Sequence, residues 1–343
     1  MMVTKIAING FGRIGRNILR AYYEGVIDRQ SLQIVAINDL ASLETLAHLL
    51  AYDSTLGPFA HEVIATEDAL IVAGDKIPVL QERSPSLLPW RSLGVDVVLE
   101  CTGRMTDRDA AATHLTAGAN RVLLSAPGKE FDATVVYGVN QDVLRASDRL
   151  ISNASCTTNC LAPMCQVLDD RFGIEQGLMT TVHAYTADQQ LIDGPHDDLF
   201  RARSAAQSMI PTKTGAAAAI GAVLPDLAGK LNGLAIRVPT PNVSLVDLTF
   251  VAARSVSVHS VNQAMEEASR ADTHRVLGYN TRPLVSVDFQ RSPFSCNFDA
   301  NHTSVSGQLV KVLAWYDNEW AFALRMLDHA LFLGQLDQVD AVA

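Results

Sequence analysis

The chain has 343 residues, 48% hydrophobic and 19% charged, and 37 acidic against 27 basic side chains give a net charge of −10. This is the composition of a globular protein with apolar residues for one large core or two smaller ones. The negative balance argues against a nucleic-acid backbone or an anionic membrane as the main partner, so any phosphate must be held by local donors.

The opening MMVTKIAING has no basic stretch leading into a long apolar one, and no later segment has the roughly 20 uninterrupted apolar residues of a membrane helix. Five cysteines make no disulfide framework, and Cys156, Cys160 and Cys165 lie too close together for separate bridges. Reduced thiols in the cytoplasm are the expectation.

In chain order, Lys5–Ile8 reads as a buried strand and Gly10–Gly15 as a tight loop, followed by Ile14, Ile18 and Tyr22 at helical spacing. Leu32–Ile37, Val95–Glu100 and Arg121–Ser125 read as further strands, with the Ala-rich, helix-compatible stretch Asp107–Ala119 between the last two. Strand, helix, strand predicts parallel pairing and a doubly wound sheet. From about residue 155 the strand-like segments become longer and more β-branched: Leu234–Val238, Val243–Ala252 and Gln308–Tyr316. They predict a second domain with an antiparallel or mixed sheet. Trp320, Leu324, Leu327 and Leu331 then form one apolar helical stripe, which needs a surface to cover and is expected to return to the first domain.

Gly10-Phe11-Gly12-Arg13-Ile14-Gly15 matches G-x-G-x-x-G between a strand and a helix. The first glycine allows the tight turn, the second lets a pyrophosphate approach the backbone, and the third lets helix and sheet pack closely. Asp39 follows the second apolar run, where a ribose-binding acid belongs. A carboxylate there accepts from a ribose hydroxyl and repels a 2′-phosphate, which favours NAD over NADP. The alternatives are a plain Gly-rich turn and an exposed strand-end aspartate.

Ser152 to Cys160 (SNASCTTNC) surrounds a cysteine with small hydroxyl and amide residues, and Leu161, Met164, Cys165 and Leu168 follow at helical spacing. Cys156 is thus expected at a helix N-terminus, where the dipole and free N–H groups favour thiolate over thiol and can receive an oxyanion. A polar cap before a buried structural cysteine is the bland alternative. A metal site is a third, but no C-x-x-C or H-x-x-x-H pairing completes a tetrahedral set. His183, in Thr180-Thr181-Val182-His183, is one of nine histidines, and pattern alone does not make it a base.

The stretches Ala7 to Arg16 (AINGFGRIGR), Ser152 to Pro163 (SNASCTTNCLAP), TTVH at Thr180–His183, RVPTPN at Arg237–Asn242 and WYDNEW at Trp315–Trp320 resemble phosphorylating glyceraldehyde-3-phosphate dehydrogenase, in family order from residue 3 to about 335. The resemblance implies an α/β protein, with a Rossmann-type doubly wound parallel sheet and an α+β catalytic domain with a mostly antiparallel sheet. The cofactor domain would span 1–154, completed by a C-terminal helix over 319–343, and the catalytic domain 155–318. It implies NAD as cofactor, a homotetramer, and a small phosphorylated aldehyde and inorganic phosphate as substrates. Cys156 becomes the nucleophile and His183 its base, in keeping with cysteine–histidine chemistry.

The resemblance also assigns Thr186 and Arg237 to the substrate's phosphate, and Ser155, Thr157, Thr214 and Gly215 to the attacking phosphate, with Arg201 nearby. Thr214-Gly215 precede a helix-like run, Ala216–Ile220, whose first N–H groups suit an anion, and arginine offers paired donors to phosphate oxygens. Read from the residues alone, Thr214 is a simple N-cap, and Arg201 and Arg237 are solvated charges. On the cofactor side Arg13 and Ile14 match the pyrophosphate loop, Arg83 and Ser125 the adenosine and nicotinamide portions, and Asn318 the residue that orients the carboxamide.

Some stretches outside these pockets, Leu88-Pro89-Trp90 and Leu284 to Phe289 (LVSVDF) among them, resemble the related erythrose-4-phosphate dehydrogenase, which releases its thioester with water. The pocket positions Thr186, Thr214-Gly215 and Pro241 follow the glyceraldehyde pattern. Lys213, Phe200, Ala321, Ala323 and Leu324 depart from it. A non-catalytic NAD-binding regulator would be marked by loss of Cys156 or His183; both are present.

Overall fold

The first apolar run forms β1 (Thr4–Asn9), buried at every position but Lys5, in a computed structural model that describes residues 3–27 and 29–340. By internal contacts the chain divides into one unit of Met1–Val135, Gln141–Ala154 and Ala323–Ala343, and another of Val136–Asn140 and Ser155–Phe322.

In the first unit β1 leads to α1 (Arg13–Tyr23), β2 (Leu32–Asn38), α2 (Leu43–Ala51), and the pair β3 (Tyr52–Asp53) and β4 (Gly57–Pro58). Three antiparallel strands follow, β5 (Val63–Ala65), β6 (Ala69–Val72) and β7 (Asp75–Leu80), and then α3 (Trp90–Leu93) and β8 (Val97–Glu100). The series continues with α4 (Arg108–Thr116), β9 (Arg121–Leu124), β10 (Ala133–Thr134) and β11 (Leu150–Ser152). Ser42 and Asp107 cap α2 and α4 by accepting the Thr45 and Ala110 N–H groups.

The sheet order is β10-β11-β9-β8-β1-β2-β7-β6-β5, with parallel pairing from β10 through β7. The chain leaves β1 toward β2 and returns on the other side of β1 with β8. The crevice beyond the carboxyl ends of these strands is therefore a topological switch point.

Two expectations change in detail. The loop foreseen over Gly10–Gly15 is shorter, because α1 begins at Arg13 and Gly15 lies in its first turn. A Cβ at Gly15 would stand 2.3 Å from the Gly10 carbonyl oxygen, so the helix can start this early only on a glycine. Val95, expected within a strand, precedes β8 and instead donates its N–H to the Trp90 carbonyl at 3.0 Å.

The second unit contains α5 (Cys156–Phe172), β12 (Ile174–Ala184), β13 (Ile210–Thr212), α6 (Ala216–Val223), β14 (Leu231–Val238) and β15 (Ser244–Ala252). After these come α7 (Val258–Ala271), β16 (Leu277–Asn280), β17 (Cys296–Ser306) and β18 (Leu309–Tyr316). The sheet order is β13-β14-β12-β15-β18-β17-β16, antiparallel except at β12–β14 and β16–β17. The strict in-out alternation of β15 reflects one face covered by helix α5 and one left open.

The last helix, α8 (Trp320–Asp340), passes from the second unit into the first. Its expected single stripe proves too narrow: every residue from Trp320 to Ala330 is buried except Asp328. Alanines at 321, 323 and 330 allow close approach around the helix, and the buried Arg325 is paired with Asp328 at 2.7 Å. In the first unit the Leu333 carbonyl lies 3.5 Å from Arg121 Nη1, and Gly334 packs so tightly on Thr4 that a Cβ would collide with its side chain.

Candidate active site

In the first unit a cleft of about 350 Å³ opens at the switch point, lined by Gly10 and Gly12 after β1, Asn38 and Asp39 after β2, Arg83 after β7, and Thr102 after β8, among others. Gly10 has φ +93°, and a Cβ on it would lie 2.7 Å from the Thr102 nitrogen. Nothing lies within 4 Å of where a Cβ of Gly12 would be, so here the backbone is open to a ligand. This cradle fits a dinucleotide, with the start of α1 presenting free N–H groups to an anion.

Asp39 is already engaged within the protein. Its carboxylate accepts the Phe11 N–H at 2.8 Å and the Ala41 N–H at 3.0 Å, tying the glycine loop to the end of β2. Arg13 is ion-paired with Asp53, whose carboxyl is held below its usual range by the Leu56 and Thr55 N–H groups and Arg13, which outweigh its burial. Asp53 was not legible as a partner, because 40 residues separate the pair. Ile14 lies in the first turn of α1. The Ser125 N–H donates to the Glu100 carbonyl at 3.0 Å and its hydroxyl meets the thiol of Cys101, which lines the cleft.

In the second unit, the chain reaches Cys156 through Ala154, held in the left-handed region at φ 54°. Ser155 then caps α5, its hydroxyl accepting the Thr158 N–H at 3.0 Å, and Cys156 is the first helical residue. His183 Nε2 stands 3.5 Å from Cys156 Sγ. His183 Nδ1 is 2.6 Å from the Ala184 carbonyl, which can only accept; the ring proton is therefore on Nδ1, and the lone pair of Nε2 faces the thiol. Burial, aided by Arg237, pushes the His183 pKa down to about 3, so the ring is neutral at physiological pH.

At Cys156 the helix end is opposed by burial. Burial pushes the thiol up and outweighs Arg237 and the Thr157 N–H and hydroxyl, which pull it down. A thiol beside a neutral imidazole can pass its proton to Nε2 as it attacks.

Parallel pairing of β12 with β14 sets His183 opposite Arg237. Arg237 Nη1 donates to the Ala184 carbonyl at 3.1 Å and to the Thr186 hydroxyl at 3.0 Å, while its Nε is buried with no acceptor. Gln189, not foreseen, accepts the Thr186 N–H at 3.4 Å and leaves its own Nε2 buried and unpartnered. Buried donors without acceptors are thus gathered around one threonine, an arrangement whose chemistry suits an anion.

Arg201 is tied to Asp188 at 2.5 Å, to the Thr212 hydroxyl at 3.0 Å and to the Lys213 carbonyl at 3.2 Å. Thr214 is not the N-cap of α6: Gly215 is, and the Thr214 hydroxyl accepts the Ala216 N–H at 3.2 Å. Among the described residues no hydrogen bond joins Thr214 or Gly215 to Ser155, Cys156 or Thr157. The Thr157 hydroxyl lies 2.8 Å from that of Tyr316, which is also 2.9 Å from that of Thr181.

Tyr316 belongs to the WYDNEW stretch, in which only Asn318 had been singled out. Ser244 accepts the Ala184 N–H at 3.1 Å and donates to Asn318 Oδ1 at 2.9 Å, which fixes the amide and leaves its NH₂ group to give. Asp317 accepts the Trp320 N–H at 2.8 Å and so caps α8.

A glycine cradle at the switch point of one unit and a thiol–imidazole pair in the other suit a dinucleotide-dependent oxidoreductase. Residues 4–108 match the NAD binding domain of glyceraldehyde 3-phosphate dehydrogenase, and residues 155–318 its C-terminal domain. The chain is 64% identical over 332 residues to glyceraldehyde-3-phosphate dehydrogenase of Pseudomonas aeruginosa, covering 97% of this chain and 98% of that one. It is 59% identical to the plasmid-borne enzyme of that name from Cupriavidus necator (97% and 99% covered) and 53% to glyceraldehyde-3-phosphate dehydrogenase 2 of Bacillus subtilis (95% and 96%). The chain belongs to the glyceraldehyde-3-phosphate dehydrogenase family and is an NAD-dependent oxidoreductase.

Proposed function

We propose that this protein oxidises glyceraldehyde 3-phosphate in the presence of inorganic phosphate to 1,3-bisphosphoglycerate. The observation that carries the reading is the Cys156–His183 pair, with its tautomer fixed so that the unprotonated Nε2 meets the thiol. Cys156 Sγ attacks the aldehyde carbon as His183 Nε2 takes the thiol proton, and the proton passes to the carbonyl oxygen to give a hemithioacetal. The Cys156 N–H, at the start of α5, is the donor this reading assigns to that oxygen. Bound NAD⁺, held by Gly10, Gly12, Arg13, Ile14, Gly15, Asp39, Arg83, Ser125 and Asn318, supplies the hydride acceptor. His183 removes the hydroxyl proton as the hemithioacetal becomes a thioester on Cys156. Inorganic phosphate then breaks the carbon–sulfur bond, and the sulfur recovers its proton from His183.

Thr186 and Arg237 hold the substrate's phosphate in this reading, and Ser155, Thr157, Thr214, Gly215 and Arg201 the attacking one. Residues 1–154 with 319–343 act as the cofactor domain and 155–318 as the catalytic domain. The protein works in the cytoplasm as a homotetramer. Exposed Leu178, Leu234 and Leu309 on the open sheet of the second unit support cover by another copy. Among the described residues no helix is long and apolar enough to cross a membrane.

The test compares glyceraldehyde 3-phosphate and erythrose 4-phosphate, each with and without inorganic phosphate, by NADH absorbance. Strict phosphate dependence with the three-carbon aldehyde is the expected result. Equal rates without phosphate and preference for the four-carbon sugar would overturn it in favour of thioester release by water.

A further inference from the structure

Beneath the glycine loop runs a chain of buried polar groups. Glu100, the last residue of β8, and His114, on α4, are both 0% exposed. Four donors face the Glu100 carboxylate. On Oε2 these are Asn9 Nδ2 at 2.5 Å and His114 Nε2 at 3.0 Å; on Oε1 they are the Thr102 N–H at 2.8 Å and the Thr102 hydroxyl. Behind His114, Trp90 Nε1 donates to Nδ1 at 2.9 Å. An indole nitrogen only donates, so Nδ1 must accept, and the ring proton sits on Nε2, aimed at Glu100. Asn9 carries the chain onward: its Oδ1 accepts from Asn38 at 2.7 Å, and the Asn38 amide holds both the N–H and the carbonyl of Glu82 at 2.9 Å. Asn9, Asn38, Glu82 and Thr102 all line the cofactor cleft.

We propose that Glu100 is the positioning residue of this cleft. Its carboxylate joins the segments that follow β1, β2, β7 and β8 into one rigid rim, and Trp90 with His114 fixes it from behind. A ligand held by several backbone groups needs them aligned within fractions of an ångström, and a shared buried acceptor supplies that alignment. The proposal deepens the reading of the cleft as the NAD site and rests on it.

Glu100→Gln keeps the shape but turns one acceptor into an NH₂ group, which meets only donors: Thr102 on one side, Asn9 and the fixed Nε2–H of His114 on the other. The Kd and KM for NAD⁺ should rise about tenfold, the loss expected for a buried hydrogen bond to a charged group, while kcat falls less than about threefold. Trp90→Phe frees His114 Nδ1 to take the ring proton, so that Nε2 can accept from the new amide. The E100Q/W90F protein should therefore bind NAD⁺ at least about threefold more tightly than E100Q, although the lost indole lowers its Tm further. A merely structural role would move affinity and Tm together.

E100Q binding NAD⁺ like the wild type, or a double variant binding no more tightly than E100Q, overturns the proposal. If E100Q does not fold, the exposed Thr102 decides: Thr102→Val should weaken NAD⁺ about threefold and Thr102→Ser should not, and equal affinities overturn it. An Asp39→Ala protein with unchanged NAD⁺ affinity would instead remove the cleft assignment on which the proposal rests.

Discussion

Around the cleft of the first unit the polar groups already hold one another, as where Asp39 carries the Phe11 and Ala41 N–H groups and Asn9 the Asn38 amide. Around Thr186 in the second unit, Arg237 Nε and Gln189 Nε2 are buried with no acceptor. A buried donor left unpaired costs about 1–3 kcal/mol, so the second site is maintained at a cost that an anion can relieve. In the proposed reading the first meets its ligand with backbone set in advance, and the second with side chains that lack their partner. Shape would thus be the first unit's contribution to recognition and charge the second's.

The sharpest way to press this difference is to remove a group that acts only in the second unit. His183→Asn retains a donor for the Ala184 carbonyl but has no counterpart of Nε2, and kcat should fall about 10²–10⁴-fold while NAD⁺ binding, read by calorimetry, is unchanged. Arg237→Ala should raise the KM for the phosphorylated aldehyde about 10- to 100-fold with NAD⁺ affinity preserved, as steady-state kinetics would report. Comparable loss of NAD⁺ affinity in either protein would break the division of labour.

Gly10→Ala probes the opposite side. Its φ of +93° and the 2.7 Å approach to the Thr102 nitrogen make any Cβ strained, at about 1–3 kcal/mol. Weaker NAD⁺ binding and a lower Tm are expected, with Cys156 alkylated by iodoacetamide at the wild-type rate.

The smallest effect is one of pH, and here the units are alike. His183 in the second and His329 in the first are both pushed by burial from 6.5 to about 3, with Arg237 and Arg325 adding to the shift. The unfolded chain binds their protons first, so the stability they contribute is full above pH 6.5 and is lost as pH falls from there toward 3. The slope is ~1.4 kcal/mol per pH unit for each ring. Urea titrations between pH 7 and 5 should show the loss, and His329→Asn should remove about half of it. A flat profile would mean that neither ring is held neutral by burial.

Much of the first unit's fold was legible because strand burial and helix propensity are local: the apolar run into Gly10 and the Ala-rich stretch from Asp107 are written within a few residues. The Gly10–Gly15 loop was placed too long because its end depends on Gly15 packing against Gly10, a contact that spacing does not show. The α8 stripe was drawn too narrow, since small alanines do not advertise burial. At the site, Cys156 was readable as a helix start, yet the burial that opposes the helix end was not, because burial depends on the whole second unit. Gln189 and Tyr316 went unnoticed, as did the network of Asn9, Glu100, His114 and Trp90. Apart from Gln189, which bonds Thr186 three residues away, each of these makes bonds across many residues of sequence, and none belongs to a residue type that marks chemistry by itself.

The return of the last helix has a consequence for how the protein is made. Residues 323–336 pack into the unit that begins with β1, Gly334 lying against Thr4 and His329 bonding Asn153 at 2.7 Å. On the ribosome the whole second unit is synthesised before this helix emerges. The first unit, though translated first, is therefore completed last, and its uncovered apolar surface must be kept from aggregating while the rest of the chain is produced.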